Sequence, residues 1–382
     1  MQITLPAAEG ALQPYTLRPP TAWPRPDAPP LSRIAYAAAH VVAAPLADPA
    51  APAAALDWDA TLRIRRRLWA YGLRVAEAMD TAQRNVGLDW PAARELTQRS
   101  AADARDFGDP AGLVAAGVGT DHARDARDLD AVTAAYLQQL EEVRATGAGA
   151  VLLASRELAA IARGADDYAT VYSAVLAQAD QPVILHWLGE MFDPRLAGYW
   201  GSRDVWQASE VLLQLVRENV GRIDGVKVSL LDPPHEVALR AALPTGVRLY
   251  TGDDFNYPSL IASGSHALLG IFDAIAPAAA AALHALDAGD KLRYEEILAP
   301  TVPLARTIFE APTYHYKTGL AFLSWLAGHQ DAFVMLRGAQ SARSLPHLAE
   351  VFRLADYAGL LPDPELAVRR MTALLAQYGI TG

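Results

Sequence analysis

Arg222-Ile-Asp-Gly-Val-Lys-Val-Ser-Leu-Leu-Asp232 is the stretch on which the reading of the fold turns. Gly225 leads into alternating Val226-Lys227-Val228, and Asp232-Pro-Pro234 closes the segment, so it reads as a short buried strand. Side chains on a strand alternate between its faces. With Val226 and Val228 packed outward under a helix, Gly225, Lys227 and Ser229 share the opposite, inner face. A lysine there is costly as a cation and is normally paired, or neutral and used in chemistry. Of the 33 Lys and Arg residues only three are lysine, at 227, 291 and 317. Arginine cannot deprotonate to act as an amine nucleophile, whereas a desolvated lysine can. A lysine kept in mid-strand by an arginine-using sequence is therefore a candidate Schiff-base former. The plainer reading is an interior lysine that neutralises carboxylates.

Outward from this strand the same unit recurs. Strands are predicted at Ile34–Ala39, Leu73–Ala78, Leu113–Gly117, Ala150–Ala154, Pro182–His186, around Lys227, at Val247–Thr251 and at Ala267–Phe272. Helices fall between most of them, with Asp57 and Asp89 placed as N-caps and further helices at about 129–144, 167–178 and 205–220. Strand, loop, helix and short turn, repeated about eight times, predict a (β/α)8 TIM barrel. No Gly-x-Gly-x-x-Gly turn follows the first strand, which disfavours an open dinucleotide-binding sheet. Residues 1–31 are proline-rich and are expected to be an extended arm that wraps the body or reaches another subunit. The barrel is expected over 32–289 and a C-terminal helical extension over 290–382, packed on the barrel or on a partner subunit.

Composition narrows the function classes. A formal net charge of −10 and a pI near 5.4 argue against nucleic acid or an anionic membrane as partner. There is no cysteine, hence no disulfide framework and no thiol nucleophile. The N-terminus lacks a basic start followed by an apolar core, and no run approaches a membrane span, so a cytoplasmic protein is expected. The apolar run Leu320-Ala-Phe-Leu-Ser-Trp-Leu326 in the helical tail is expected to leave a patch that favours a homo-oligomer.

In barrels of this kind the chemistry sits at the C-terminal ends of the strands. The polar and aromatic residues that follow predicted strands are therefore the expected substrate-binding set: His40, Asp80, Arg84, Asp121, His122, Arg156, Trp187, Asp253 and Asp254, with Asp273 after the eighth strand. Lys227 is the expected nucleophile, with His186 or Glu157 as the group that moves protons. Arg84 or Arg156 would hold a carboxylate or a hydroxyl-rich tail. Such a pocket suits a small carbonyl or sugar-like substrate.

Asp224-Gly-Val-Lys227, Leu249-Tyr-Thr-Gly-Asp-Asp254 and Ser263-Gly-Ser-His-Ala-Leu-Leu-Gly270 together resemble the second half of the dihydrodipicolinate synthase / N-acetylneuraminate lyase superfamily of class I aldolases. In that superfamily the strand-six lysine condenses with a 2-oxo acid, which the resemblance implies for Lys227. The first half departs from the pattern. The family's Gly-Thr-Thr-Gly-Glu after strand two is replaced by Ala78-Met-Asp-Thr-Ala-Gln-Arg84, and Ser155-Arg-Glu157 stands where the family has a proton-relaying tyrosine. The whole chain also resembles a bacterial family of unknown function within this superfamily, through Arg33-Ile-Ala-Tyr-Ala-Ala-Ala-His40, Tyr316-Lys-Thr-Gly319 and Gly328-His-Gln330.

The leading expectation is a Schiff-base lyase or aldolase acting on a keto-sugar or 2-oxo acid without a cofactor. A second is a sugar isomerase, epimerase or lyase dependent on Mg or Mn, with ligands drawn from Glu77, Asp80, Asp121, His122, Glu157, His186 and Asp254. A third is a non-catalytic barrel that binds a small ligand.

Overall fold

The computed structural model describes residues 1–51 and 53–381; Pro52, inside the expected barrel domain, and Gly382, at the end of the expected extension, lie outside the described residues. Two strands, β1 (Gln2–Pro6) and β2 (Leu12–Thr16), pair antiparallel. Eight more form a closed parallel barrel: β3 (Ala35–Ala38), β4 (Arg74–Glu77), β5 (Val114–Val118), β6 (Gly149–Leu152), β7 (Val183–Leu188), β8 (Ile223–Ser229), β9 (Arg248–Thr251) and β10 (His266–Leu269). They pair in chain order, and β10 returns to β3, so no strand edge is left open. The helices are α1 (Trp58–Ala70), α2 (Trp90–Ala104), α3 (Pro110–Leu113), α4 (Leu129–Arg144), α5 (Arg156–Ile161), α6 (Ala165–Gln178), α7 (Val205–Glu218), α8 (Pro233–Ala242) and α9 (Tyr257–Ala262). Then follow α10 (Ile271–Asp287), α11 (Lys291–Leu298), α12 (Thr301–Ile308), α13 (Tyr316–Leu326), α14 (Leu345–Tyr357) and α15 (Pro364–Gln377). The fold is a (β/α)8 barrel with C-terminal helices.

Two compact units partition the chain. One, Arg33–Ala39 with Arg74–Gly270, contains all eight barrel strands and α2 to α9. Its interior is filled by every second residue of the strands: Tyr36, Ala38, Ala76, Ala115, Val151, Ile184, Tyr250 and Leu268. Aspartates start several of its helices as N-caps. Asp89 accepts the Ala92 N–H, Asp128 that of Ala131 and Asp232 that of His235, at 3.1, 2.8 and 3.1 Å.

The other unit comprises Met1–Ser32, His40–Leu73 and the chain from Ile271 onward. Here the N-terminal arm differs from the expectation of a wholly extended segment, because its first part is a hairpin. Ile3 and Leu5 alternate with polar neighbours and are buried, Gly10 turns the chain at φ +87°, and the prolines cluster only from Pro19 onward. The arm lies against α14. Tyr15 donates its hydroxyl to Asp356 at 2.7 Å, and the Trp23 indole N–H donates to the Gly359 carbonyl at 2.8 Å.

The same unit corrects the expectation of an apolar surface on the tail. Leu320, Phe322, Leu323 and Leu326 of α13 are at most 1 % exposed, so this run is core and offers no association patch. The last barrel strand is also shorter than expected. It ends at Leu269, and Ile271 and Phe272 open α10. In the helical extension, α11 and α12 are separated at Ala299-Pro300, since proline cannot donate to the helix ladder. Among the described residues no helix is long and apolar enough to cross a membrane.

Candidate active site

The parallel register aligns His186 of β7 with Lys227 of β8, and Lys227 with Tyr250 of β9. Ile184 and Tyr250 face the barrel interior, and alternation carries His186, Gly225, Lys227 and Ser229 to the same side. Val226 and Val228 face outward and are at most 1 % exposed, which is why the strand tolerates a lysine between them. Two glycines leave space on this strand and at the end of the next that a side chain would fill, the second of them beside Lys227. A Cβ on Gly225 would lie 2.6 Å from the Arg248 carbonyl and 2.7 Å from the Tyr250 ring. A Cβ on Gly252 would meet Ser229 Oγ at 2.1 Å and Lys227 Cε at 2.8 Å.

Lys227 is 8 % exposed, and burial pushes its amine down to about 8 from the usual 10.5. Asp254 and Asp80 act against that shift. Asp254 follows β9, the neighbour of β8, while Asp80 follows β4, four strands round the barrel and so directly across it. His186 is held neutral. Burial first, and then the Lys227 charge, drive it well below the ordinary histidine range, and its Nε2 lies 3.2 Å from Ser229 Oγ.

A hydroxyl cluster occupies the C-terminal ends of β5 and β6. Thr120 donates its hydroxyl to Glu157 Oε2 at 2.6 Å, so at 2.6 Å from Ser155 Oγ it must accept. Ser155 Oγ also accepts the Leu158 N–H as the cap of α5, and the Ser155 N–H donates to the Tyr199 hydroxyl, both at 2.9 Å. Tyr199 lies 2.9 Å from the Tyr172 hydroxyl, and Tyr136 ends the chain by donating to the Leu153 carbonyl. Burial pushes all three tyrosines well above their usual 10, so they remain protonated and fix the Ser155–Glu157 turn in place.

Several expected substrate binders are engaged within the protein. Arg84 spends its five N–H donors on Asp121, Gln139 and the carbonyls of Ala78 and Gly117, leaving none for a ligand. Burial raises Asp121, yet the Arg84 guanidinium and the Gln139 amide outweigh it and hold the carboxyl at about 2. His122 contacts Gln138 and Gln139 of α4. Asp253 accepts the N–H groups of Phe255 and Asn256 and so shapes its own turn. Arg156 pairs through Nε with Asp193. Trp187 lies in mid-strand, because β7 runs on to Leu188, and it faces outward, edge-on to His235 of α8 at 5.5 Å. In the other compact unit, His40 is 3 % exposed with Nδ1 2.5 Å from Asp273 and Nε2 2.8 Å from Gln330. The Gln330 amide nitrogen donates to Ala332, so its oxygen faces the ring and both histidine nitrogens are occupied.

The metal alternative finds no assembled ligand set, since among the described residues no three His, Asp or Glu side chains converge as ligands. Glu77 faces outward beneath α2, where it accepts the Ser100 hydroxyl and the Ala78 N–H. Asp121 and His122 are held on Arg84 and α4 as described.

Thr120, Ser155, Tyr199, Ser229 and Gly252 were not among the expected site residues. The period-two alternation through Lys227 already marks Ser229. Tyr199, in the loop after β7, carries no local signal.

Solved structures share this fold. The 4-hydroxy-tetrahydrodipicolinate synthase of Methylacidiphilum fumariolicum SolV aligns with TM-score 0.66 at 14% identity, over 90% of this chain and 98% of that one. The dihydrodipicolinate synthase of Aquifex aeolicus gives 0.62 at 14%, over 91% and 98%, and that of Bacillus clausii 0.60 at 15%, over 91% and 99%. At these identities the likeness is one of fold. No curated protein sequence matches the chain. The model of the family described as "Protein of unknown function (DUF993)" matches residues 3–380, and the chain belongs to that family.

Proposed function

We propose that the protein is a Schiff-base lyase or aldolase in which Lys227 attacks the carbonyl carbon of a small keto-sugar or 2-oxo acid. The observation that carries this reading is a buried lysine on the sixth barrel strand whose amine is pushed down to about 8, which leaves a share of nucleophilic free amine near neutral pH. Gly252, whose Cβ would lie 2.8 Å from Lys227 Cε, leaves that side chain space. The likeness of fold to the dihydrodipicolinate synthases agrees with it.

The Lys227 nitrogen adds to the carbonyl carbon, the oxygen takes up a proton, and loss of water leaves an iminium. The bond between the α and β carbons then breaks. Its electron pair moves into the iminium to form an enamine, while the β-hydroxyl gives up its proton and becomes a second carbonyl. Protonation of the enamine carbon and addition of water release the first product and restore the amine. His186 lies too far below its ordinary range to hold a proton near neutral pH, so it serves as an uncharged neighbour of the lysine and not as the group that delivers protons. Glu157, fixed by Thr120 and Ser155, is the proposed acid–base group. This route calls for no metal and no organic cofactor.

Borohydride added with a panel of small ketones should trap an adduct whose mass maps to Lys227, and Lys227→Arg should trap none. Equal trapping in Lys227→Arg would overturn the reading. Turnover silenced by a chelator and restored by Mn²⁺ would transfer the chemistry to a metal.

A further inference from the structure

We propose that Ser229 is a catalytic residue of the imine-forming step, its hydroxyl carrying a proton from the Lys227 nitrogen to the carbonyl oxygen when the two reactants join. This rests on the imine reading and gives one side chain a transfer which that reading leaves unassigned. Ser229 lies two residues beyond Lys227 on β8, so alternation puts both side chains on the inner face. Gly252, just past the end of β9, brings the two into one space. The point where its Cβ would sit is 2.1 Å from Ser229 Oγ and 2.8 Å from Lys227 Cε, so the hydroxyl and the end of the lysine border the same gap. Ser229 is 2 % exposed, which leaves water little access to its hydroxyl.

Among the described residues the hydroxyl has one partner, His186 Nε2 at 3.2 Å, and no hydrogen bond ties it to the amine. A hydroxyl offers one donor and two acceptor sites, so this one has capacity left for a ligand. When the amine adds to a carbonyl, the new bond leaves positive charge on nitrogen and negative charge on oxygen. Direct proton transfer between them passes through a small, strained ring. With His186 donating from Nε2, Ser229 keeps its own proton for the ligand. Oγ gives that proton to the carbonyl oxygen and takes one from the nitrogen, so a neutral carbinolamine forms and the serine ends unchanged. The later loss of water and the bond cleavage stay with Glu157.

The test times imine formation on the full-length protein. Dihydroxyacetone and pyruvate are each mixed with it, samples are quenched at intervals with borohydride, and the adduct on Lys227 is read by intact mass and peptide mapping. Ser229→Ala should slow its appearance at least about tenfold yet reach the wild-type extent, because a catalyst changes the rate and not the equilibrium. The pH of half-maximal rate should stay at the wild-type value. Ser229→Gly, which removes the hydroxyl without leaving a methyl, should behave in the same way, so the result does not hang on one packing change. A wild-type rate in either variant would overturn the proposal and leave the imine reading standing. A slower rate with a lower extent or a moved pH midpoint would also overturn it, since Ser229 would then act on the placing or charge of the lysine and not on the proton. If wild-type Lys227 takes up neither ketone, the imine reading fails and the proposal with it.

Discussion

At the scale of single residues, the nucleophilicity of Lys227 is a balance between burial and charge. Burial lowers the amine to about 8, and Asp254 and then Asp80 limit the fall. The free amine is the reactive form, so trapping should rise about tenfold per pH unit up to about pH 8 and then level off. Asp254→Asn removes the larger of the two opposing influences, and the midpoint should move to lower pH. A pH–rate profile whose midpoint moves upward in that variant would contradict the electrostatic account. Gly252 makes a second residue-scale test. Its missing Cβ would sit 2.1 Å from Ser229 Oγ and 2.8 Å from Lys227 Cε. Gly252→Ala should therefore displace the amine and cut turnover by about tenfold or more, and, because the same Cβ would also meet the Val228 carbonyl at 2.9 Å, it should lower the melting temperature as well. Alternation around Lys227 was legible in the sequence because period two needs only a few residues of local context. The partners of Arg84 were not. Its ion pair with Asp121 spans 37 positions and joins two loops, and nothing local distinguishes a guanidinium that serves the fold from one that serves a ligand.

At the scale of elements, strand periodicity located the barrel strands to within a few residues, and caps such as Asp57 and Asp89 lie where the helices begin. Errors arose where one residue signals two outcomes. Asp232-Pro-Pro234 reads as the end of a strand and is also the cap and first turn of α8, a helix too short to announce itself by periodicity. A strand that stops at His186 would leave Trp187 in a loop; the strand's further run to Leu188 turns the indole outward onto α8. That helix also carries a buried acid. Glu236 accepts Ser265 Oγ and Thr251 Oγ1 at 2.8 and 2.9 Å, yet burial outweighs both and raises its carboxyl from 4.5 to about 7. A folded value above the unfolded one means that its contribution to stability is complete below about pH 4.5 and is lost as pH rises through about 7. Glu236→Gln keeps the shape without the charge. Its stability relative to wild type should therefore increase between pH 5 and pH 8, by no more than about 3 kcal/mol, in denaturant titrations at the two pH values. A difference that shrinks with pH would refute the assignment.

At the scale of the whole molecule, the chain crosses between its two compact units four times, after Ser32, Ala39, Leu73 and Gly270. The repeating strand–helix rhythm made the barrel legible, but it gave no sign that the N-terminal arm and the C-terminal helices belong to one unit, because those contacts join residues hundreds of positions apart. Asp356 of α14 accepts the Tyr15 hydroxyl and the Arg18 N–H, Asp287 of α10 accepts the N–H groups of Leu31 and Ser32, and Gln330 holds His40. Leu5 and Leu17, at 0 % and 7 % exposed, belong to the buried core of this same unit. The C-terminal helices are therefore no dispensable appendage. A chain ending at Gly289 would lose the Asp356 partner of Tyr15 and Arg18 and the Gln330 partner of His40, leaving polar groups unpaired and the buried face of the hairpin open to water. It should collect in the insoluble fraction even though every barrel strand is present, whereas the single change Asp356→Ala, which removes two hydrogen bonds, should cost about 1–3 kcal/mol and leave the protein soluble. Expression of both, read by solubility and by circular dichroism, distinguishes the cases. A soluble chain of 1–289 with the secondary structure of a complete barrel would show that the C-terminal helices contribute no required part of the fold.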